Sequence, residues 1–583
     1  MTDYRKETAK RVRDSASQMA YDRAHPVHKS NGDEQRYASA NYAMSFTKGL
    51  EHCATTGLII NADDFKAFRR AIDVGKVDAF TTSVPSATGK QRAWEAPTAG
   101  LVCDLQGPDS HSVTMPPAPA LGSKELAYEM AEVYELALLR DIPLSEFNGI
   151  SNNQNLDDSI TRLKGINYDI SGGEGRSRKN IGGQITGQTA FRGSSPGVEE
   201  GPYLSQFMLL GNRSVAGDGS VTDGIISYGA LRVDQKVPVA IECQNFMTEE
   251  AEWLAVQNGA NTQEGNEINL FGNSVKRRFI STPRDLATYV HYDALYEAYL
   301  NAGLILLGMK VPFDPGFDNL SGASQLHVNG QSQNREAGGF ALWGGPHILT
   351  LVTEVATRAL KAVRYQKFNT HCRLRPEALA ARIHYANAIE TAHPSVVGMF
   401  NGLYNDIKPT ADAIKGFNAS SSFLLPMAFQ EGSPMHPSYG AGHATVAGAC
   451  VTILKAYFDT SCVLLENKDG EVKFSKPEAG NSPVAYVSDY IVGDSSKTGN
   501  QLVKQDVCNY LTLEGELNKL AANISIGRNM AGVHYYSDYY DSLRMGEEIA
   551  LGILEEQALC YTQEPFVFSV PTFDGEICRI GTR

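Results

Sequence analysis

The chain has 583 residues, 42% of them hydrophobic and 20% charged, with a formal net charge of −14. That balance fits a globular protein in water. It argues against a general nucleic-acid binder, which needs a surplus of Lys and Arg to neutralise phosphates. The nine cysteines include no CxxC pair, so zinc-ribbon and thioredoxin sites have no support, and an odd number leaves at least one thiol unpaired. Free thiols are expected over a disulfide framework in a chain this size. The basic N-terminus (residues 1–26) lacks the apolar core of a secretory signal. The most apolar run, 298–311, is broken by Asn301, Gly303 and Lys310 and is too short to span a bilayer. A soluble protein is therefore expected. Its compartment stays open between the cytoplasm and export by a non-classical route.

Residues 1–165 look mixed, with a helical stretch at Ser123–Arg140. Residues 171–201 and 317–340 are rich in Gly, Ser and Asn and read as long surface loops. Thr282-Pro283 is a helix start, a capping hydroxyl followed by proline, and apolar residues continue through Leu286, Val290, Leu295 and Ala298. A second helix starts near Pro346, its stripe running from Ile348 to Val363 close to the helical period. Further helices are expected from Pro376, after Gly442, over Leu511–Met530 and from about His534 to Ala558, with a hairpin inserted within 460–500. The fold expected is mainly α: helical bundles with the active site between helices of the C-terminal half, and small β hairpins in insertions. Two regions are expected, an N-terminal helical or oligomerisation region (1–200) and a helical-bundle region (201–583) that would hold the catalytic residues.

Three clusters carry chemistry. In the first, Lys367 ends one predicted helix and Arg375-Pro376 precedes the next; alone it is an ordinary basic turn at helix ends. In the second, HPSYGAGHA (436–444), prolines and glycines shape a turn before a helix whose first N–H groups are free to hold an anion. His443 stands at that start; its ordinary alternative is a simple capping residue. In the third, GRNMAGVHYYSD (527–538), Arg528 and His534 flank a small-residue turn. Asp538 follows His534 by four residues, one helical turn, where a carboxylate can hold the ring's Nδ1–H and leave Nε2 free; the alternative is an unremarkable helix pair. Together the clusters supply three cations, two histidines and a helix N-terminus, which suits a tetrahedral oxyanion bearing several charges.

The order Lys-(7)-Arg-Pro, Pro-(4)-Gly-His, Arg-(5)-His resembles the shared motif of vanadium haloperoxidases and acid phosphatases. HPSYGAGHAT, GRNMAGVHYYSD and RPEALAARI (375–383) resemble the bromoperoxidase branch of red algae and cyanobacteria, as do GPYLSQFMLLG (201–211) and residues 340–368. The resemblance covers most of the chain from about residue 200. It implies a vanadate cofactor with vanadium bound by His534 Nε2. The oxyanion would be held by Lys367, Arg375, Arg528 and the Gly442 N–H, with His443 as the general acid–base group. Catalysis would then fall to His443, Lys367 and His534, with Asp538 orienting His534 and His436 tuning the site. It implies hydrogen peroxide and halide as substrates, bromide before chloride, with small organic acceptors of the hypohalous acid. It also implies a homo-oligomer, a dodecamer in the red-algal group, and structural calcium in some members, whose ligands the sequence does not locate.

One departure stands out. The family usually has Ser-Gly-His, and this chain has Ala441-Gly442-His443. A methyl cannot donate to an oxyanion, so weaker vanadate binding or a shifted halide preference is expected. The main rival is an acid phosphatase, with His534 as the phosphoryl nucleophile. A serine hydrolase fails at Gly193–Gly197: the residue after Ser195 is Pro196, which has no N–H for an oxyanion hole. A P-loop fails because Gly172-Gly173 is not followed by GK[ST]. A purely structural shell protein leaves the three clusters unexplained.

Overall fold

Side-chain caps set where several of the main helices begin. The computed structural model describes residues 2–582 except 151, 174, 215, 264–266, 318–319, 321–325, 329–330, 334–338 and 565. Ser123 accepts from the Leu126 N–H and starts α1 (Lys124–Leu138). Thr282 and Asp285 form a reciprocal capping box on α2 (Pro283–Tyr292). After α3 (Glu297–Gly308) and α4 (Gly345–Tyr365), proline opens α5 (Pro376–His384). The C-terminal half adds α6 (Gly442–Tyr457), α7 (Leu513–Met530, capped by Thr512) and α8 (Tyr536–Ala558). The architecture is mainly α. Its sheets are small and antiparallel, including Val463–Glu466 with Val472–Ser475, Ala485–Ser488 with Leu502–Gln505, and Phe566–Pro571 with Ile577–Thr582. The hairpin expected within 460–500 is thus present, joined by further short strands.

Helix α6 is the centre of the bundle. It packs on α4, α7 and α8, and every residue from Ala444 to Tyr457 is buried. Two glycines bring α6 and α8 close: a Cβ on Gly448 would lie 2.0 Å from Leu543 O, and one on Gly546 would lie 2.0 Å from Thr445 O. Either substitution forces the helices apart, so both positions require Gly. Helix α1, from the N-terminal third, shares this core through Leu126, Met130, Val133 and Tyr134.

Three expectations need correction. The helix from Pro283 does not run to Ala298; it stops at Tyr292, and Asp293 is extended (φ −66°, ψ 149°) before α3 begins. The described residues of 171–201 form no helix or strand but are not a surface loop. Arg178, Phe191, Arg192, Ser195 and Val198 are buried. Arg178 pairs with Glu132 (2.8 Å), and Arg176 pairs with Glu125 (3.0 Å) and Asp541 (2.7 Å). The segment is drawn inward by acids distant in sequence. His534 precedes α8 instead of opening it. Of the loop at 317–340, the strand pair Leu326–Val328 with Gln331–Gln333 is described; most of the remainder lies outside the described residues. All nine cysteines are free, as expected.

Burial also sets the acid sensitivity of the fold. His371 is buried with neither ring nitrogen hydrogen-bonded among the described residues, and burial, followed by the Arg373 charge, pushes its pKa down to about 3. A depressed histidine contributes stability that is present above its unfolded pKa of 6.5 and is lost as pH falls toward its folded pKa. The cost is about 1.4 kcal/mol per pH unit across that window. Between pH 6.5 and 4.5 the melting temperature of the wild type should therefore fall faster than that of His371→Gln, whose side chain does not titrate. Parallel slopes in a thermal denaturation series would refute this.

Candidate active site

Helix α4 continues past Tyr365 into a wide helical turn, Gln366–His371, that carries Lys367 into the interior. Lys367 Nζ donates to the carbonyls of Pro437 (2.8 Å) and Ser438 (3.0 Å). Arg375, at the N-cap of α5, spreads its guanidinium over the other two clusters. Nε donates to His436 O (2.9 Å), Nη2 to His436 Nδ1 (2.8 Å), and Nη1 to both Val533 O (2.8 Å) and His534 Nε2 (3.0 Å). Arg528, in the last turn of α7, donates from Nη1 to Val290 O (2.8 Å). Arg375, Lys367, Arg528 and His443, far apart in sequence, all act on His534 and so gather about one point.

The protonation of His534 follows from its partners. Arginine can only donate, so Nε2 is the acceptor and Nδ1 carries the proton, which it gives to Asp538 Oδ2 at 2.7 Å. The link does not depend on the helical turn read from the spacing. The chain turns at Gly532 (φ 87°), and His534 sits before α8 while Asp538 occupies its third position. Asp538 is fully buried and held from several sides: by Arg373 Nη1 (2.9 Å), the Tyr535 N–H (3.1 Å) and the Ser438 hydroxyl. Arg373 is fixed in turn by Glu129 and by the Tyr535 ring, 3.9 Å from its guanidinium carbon. His443 is the second residue of α6, and its Nε2 lies 3.0 Å from Asp293 Oδ1. Gly442 begins that helix. Ala441, at the N-cap, offers its first N–H groups no side-chain acceptor. His436 is buried and bound to Arg375.

Charge is unbalanced here. Among the described residues, no carboxylate lies within 4.0 Å of Lys367, Arg375 or Arg528; their hydrogen-bond partners are carbonyls and histidine nitrogens. Burial, reinforced by the neighbouring Arg375, pushes Lys367 well below its usual range. Burial brings Arg375 down to about 9 and lowers Arg528. It also lowers His534 strongly, with Arg375 and Lys367 adding to the effect. His443 is lowered by burial, against the pull of Asp293. Arg528 Nε is buried with no hydrogen-bond partner among the described residues. Three desolvated cations without a carboxylate partner are costly by themselves. A multiply charged oxyanion compensates all three and can take the orphaned N–H of Arg528, while His534 Nε2 offers a lone pair for a metal. The donor set therefore fits vanadate.

Sequence reasoning missed Asp293, Arg373, Ser438 and Glu129. Arg373 stands two residues before Arg375 and Ser438 lies inside the HPSYGAGHA turn, so both were within reach. Asp293 and Glu129 carry no local signal. Among the described residues, no group of three or more His, Cys, Asp and Glu side chains is placed to hold a metal ion.

No protein-family model matches the chain. It is 41% identical to the vanadium-dependent bromoperoxidases of Corallina officinalis and Corallina pilulifera, over alignments of 622 and 626 residues that cover 98% of this chain and 97% of each relative. The vanadium-dependent bromoperoxidase of Ascophyllum nodosum is 30% identical over 502 residues, 83% of this chain and 77% of that protein. Among solved structures, the homohexameric second vanadate-dependent bromoperoxidase of Ascophyllum nodosum matches with a TM-score of 0.74 at 25% identity, covering 99% of this chain and 90% of the other. With such relatives aligned along nearly its whole length, the chain belongs to the vanadium-dependent bromoperoxidases.

Proposed function

We propose that this protein uses vanadate and hydrogen peroxide to oxidise halide, bromide foremost, to hypohalous acid, which halogenates small organic acceptors. The observation that carries this reading is the gathering of Lys367, Arg375 and Arg528, none with a carboxylate partner among the described residues, around His534, whose unprotonated Nε2 accepts from Arg375. His534 Nε2 would bind vanadium; Lys367, Arg375, Arg528 and the Gly442 N–H would hold the oxyanion oxygens. Bound there, vanadate supplies Lewis acidity without a change of oxidation state.

The chain's own residues handle protons. Overall, peroxide, bromide and one proton give hypobromous acid and water. Asp293 accepts the Nε2–H of His443, leaving the Nδ1 lone pair to take a proton from peroxide and return it. The lowered pKa keeps His443 in the neutral, accepting form near neutral pH. Asp538 fixes the tautomer of His534, and Arg373 and Ser438 fix Asp538. The hexameric relative supports assembly into a homo-oligomer, and we place part of the subunit contacts in residues 1–200. Among the described residues, no helix is long and apolar enough to cross a membrane.

The test is halide oxidation by protein stripped of oxyanion and then given orthovanadate, peroxide, bromide and a chromogenic acceptor. Bromination should appear only with vanadate and be suppressed by phosphate. Turnover of a phosphomonoester without vanadate, and no bromination with it, would overturn the reading and make His534 a nucleophile.

A further inference from the structure

One carboxylate faces the oxyanion pocket without being locked into a buried pair. Glu95 and Met435 are joined through their backbones (Glu95 N–H to Met435 O, 3.0 Å), and the Met435 N–H donates to Glu95 Oε1 (3.1 Å). This aims Oε2 at His436 Nε2 (3.6 Å) and Arg364 Nη2 (3.9 Å); Arg92 Nη2 lies 4.0 Å from Oε1. His436 is the residue that Arg375 grips from its other nitrogen, and Arg364 lies one helical turn before Lys367. The side chain of Glu95 is 44% exposed, whereas His436, on which it is aimed, is buried, so Glu95 stands on the solvent side of the cation cluster. Its field reaches Lys367, Arg375 and Arg528, favouring the charged form of each. The other acids that reach these cations are committed: Asp538 to Arg373 and His534, Glu377 to Lys48 (2.9 Å), Asp293 to His443, and Glu431 to His291 (2.9 Å).

We propose that Glu95 is a specificity-determining residue that grades anions by charge at the mouth of this pocket. It weakens the hold on a multiply charged oxyanion more than the hold on a singly charged one. The inference rests on reading the pocket as an oxyanion site. Repulsion from a fixed carboxylate scales with ligand charge, so a dianion such as phosphate is penalised twice as much as a monoanion in free-energy terms. The pocket then keeps an opening through which halide is admitted in preference to the phosphate that competes for the same cations. An alternative role, a tether holding Arg92, Arg364 and His436 in place, predicts the opposite sign: its loss would loosen the cations and weaken every anion.

The experiment measures equilibrium binding to the apoprotein by calorimetry, at mildly alkaline pH and low salt, with inorganic phosphate as the dianion and perrhenate as a tetrahedral monoanion. Glu95→Gln should tighten phosphate on the order of tenfold and perrhenate about threefold, with both gains shrinking at high salt. Glu95→Asp, which keeps the charge but shortens the reach to Met435, should stay near wild type for both anions. Equal gains for the two anions, no change, or weaker binding in Glu95→Gln would overturn the proposal, and weakening in both variants would establish the tether. Failure of the underlying pocket reading looks different: wild type and variants alike would bind neither anion.

Discussion

Replacing His534 with Ala should abolish vanadate-dependent bromination while leaving phosphate binding largely in place. The two outcomes separate because His534 has two distinct duties. Toward any oxyanion it is a neutral neighbour: its Nε2 accepts from Arg375, and its proton is committed to Asp538. Toward vanadium it supplies the lone pair of a coordinate bond, which phosphate does not form. In the variant, Arg375 keeps its bonds to Val533 O and His436, Lys367 keeps two carbonyls, and the N-terminus of α6 is untouched. Phosphate affinity should therefore change by less than about tenfold, the worth of one hydrogen bond. Lewis-acid activation is worth several kcal/mol, so bromide oxidation should fall by on the order of a thousandfold or more. Calorimetry with phosphate and an activity assay at saturating vanadate read the two quantities independently. A variant that loses both equally would show that His534 contributes to the shape of the pocket and not to a metal bond.

Much of this site was legible because its residues announce themselves locally. Arg375-Pro376, Gly442-His443 and the Arg528–His534 spacing each join a charged or imidazole side chain to a turn or helix start, and backbone geometry at such points is nearly fixed by sequence. The helices that carry them were legible for the same reason, through their caps and apolar stripes. What escaped depends on contacts between distant segments. Asp293 looked like an interior helix residue because the apolar period continues through Leu295 and Ala298, with no Gly or Pro to mark a stop. In the fold, the chain breaks there and the carboxylate meets His443, 150 residues away. Composition likewise marked residues 171–201 as a surface loop, yet Arg178 is buried and Arg176 mostly so, against Glu125, Glu132 and Asp541. Glu95 is the extreme case: no motif surrounds it, and only its pairing with Met435 turns it toward the pocket.

Ala441→Ser should tighten vanadate binding by on the order of ten- to a hundredfold and also raise the stability of the apoprotein. Ala441 is buried at the N-cap of α6 in an extended conformation (φ −87°, ψ 123°), which suits a capping serine. Its backbone already has its partners: the N–H donates to Ser542 Oγ (2.8 Å), and the carbonyl accepts from the Thr445 N–H (3.0 Å) and Thr445 Oγ1 (2.9 Å). A serine there gains its new bonds through Oγ alone. As an acceptor, Oγ can take an N–H of the first turn, worth about 0.5–2 kcal/mol. As a donor, its proton can reach an oxyanion seated at the same helix end, worth about 1.5–3 kcal/mol for a bond to a charged group. The two effects have different readouts. Capping appears as a higher melting temperature without ligand, and donation appears as a lower vanadate dissociation constant. Phosphate should gain along with vanadate, because the hydroxyl senses the oxyanion oxygens and not the metal. A variant that melts higher but binds both anions no more tightly would place the hydroxyl on the helix alone, and the alanine would then not be the cause of any weakness in cofactor binding.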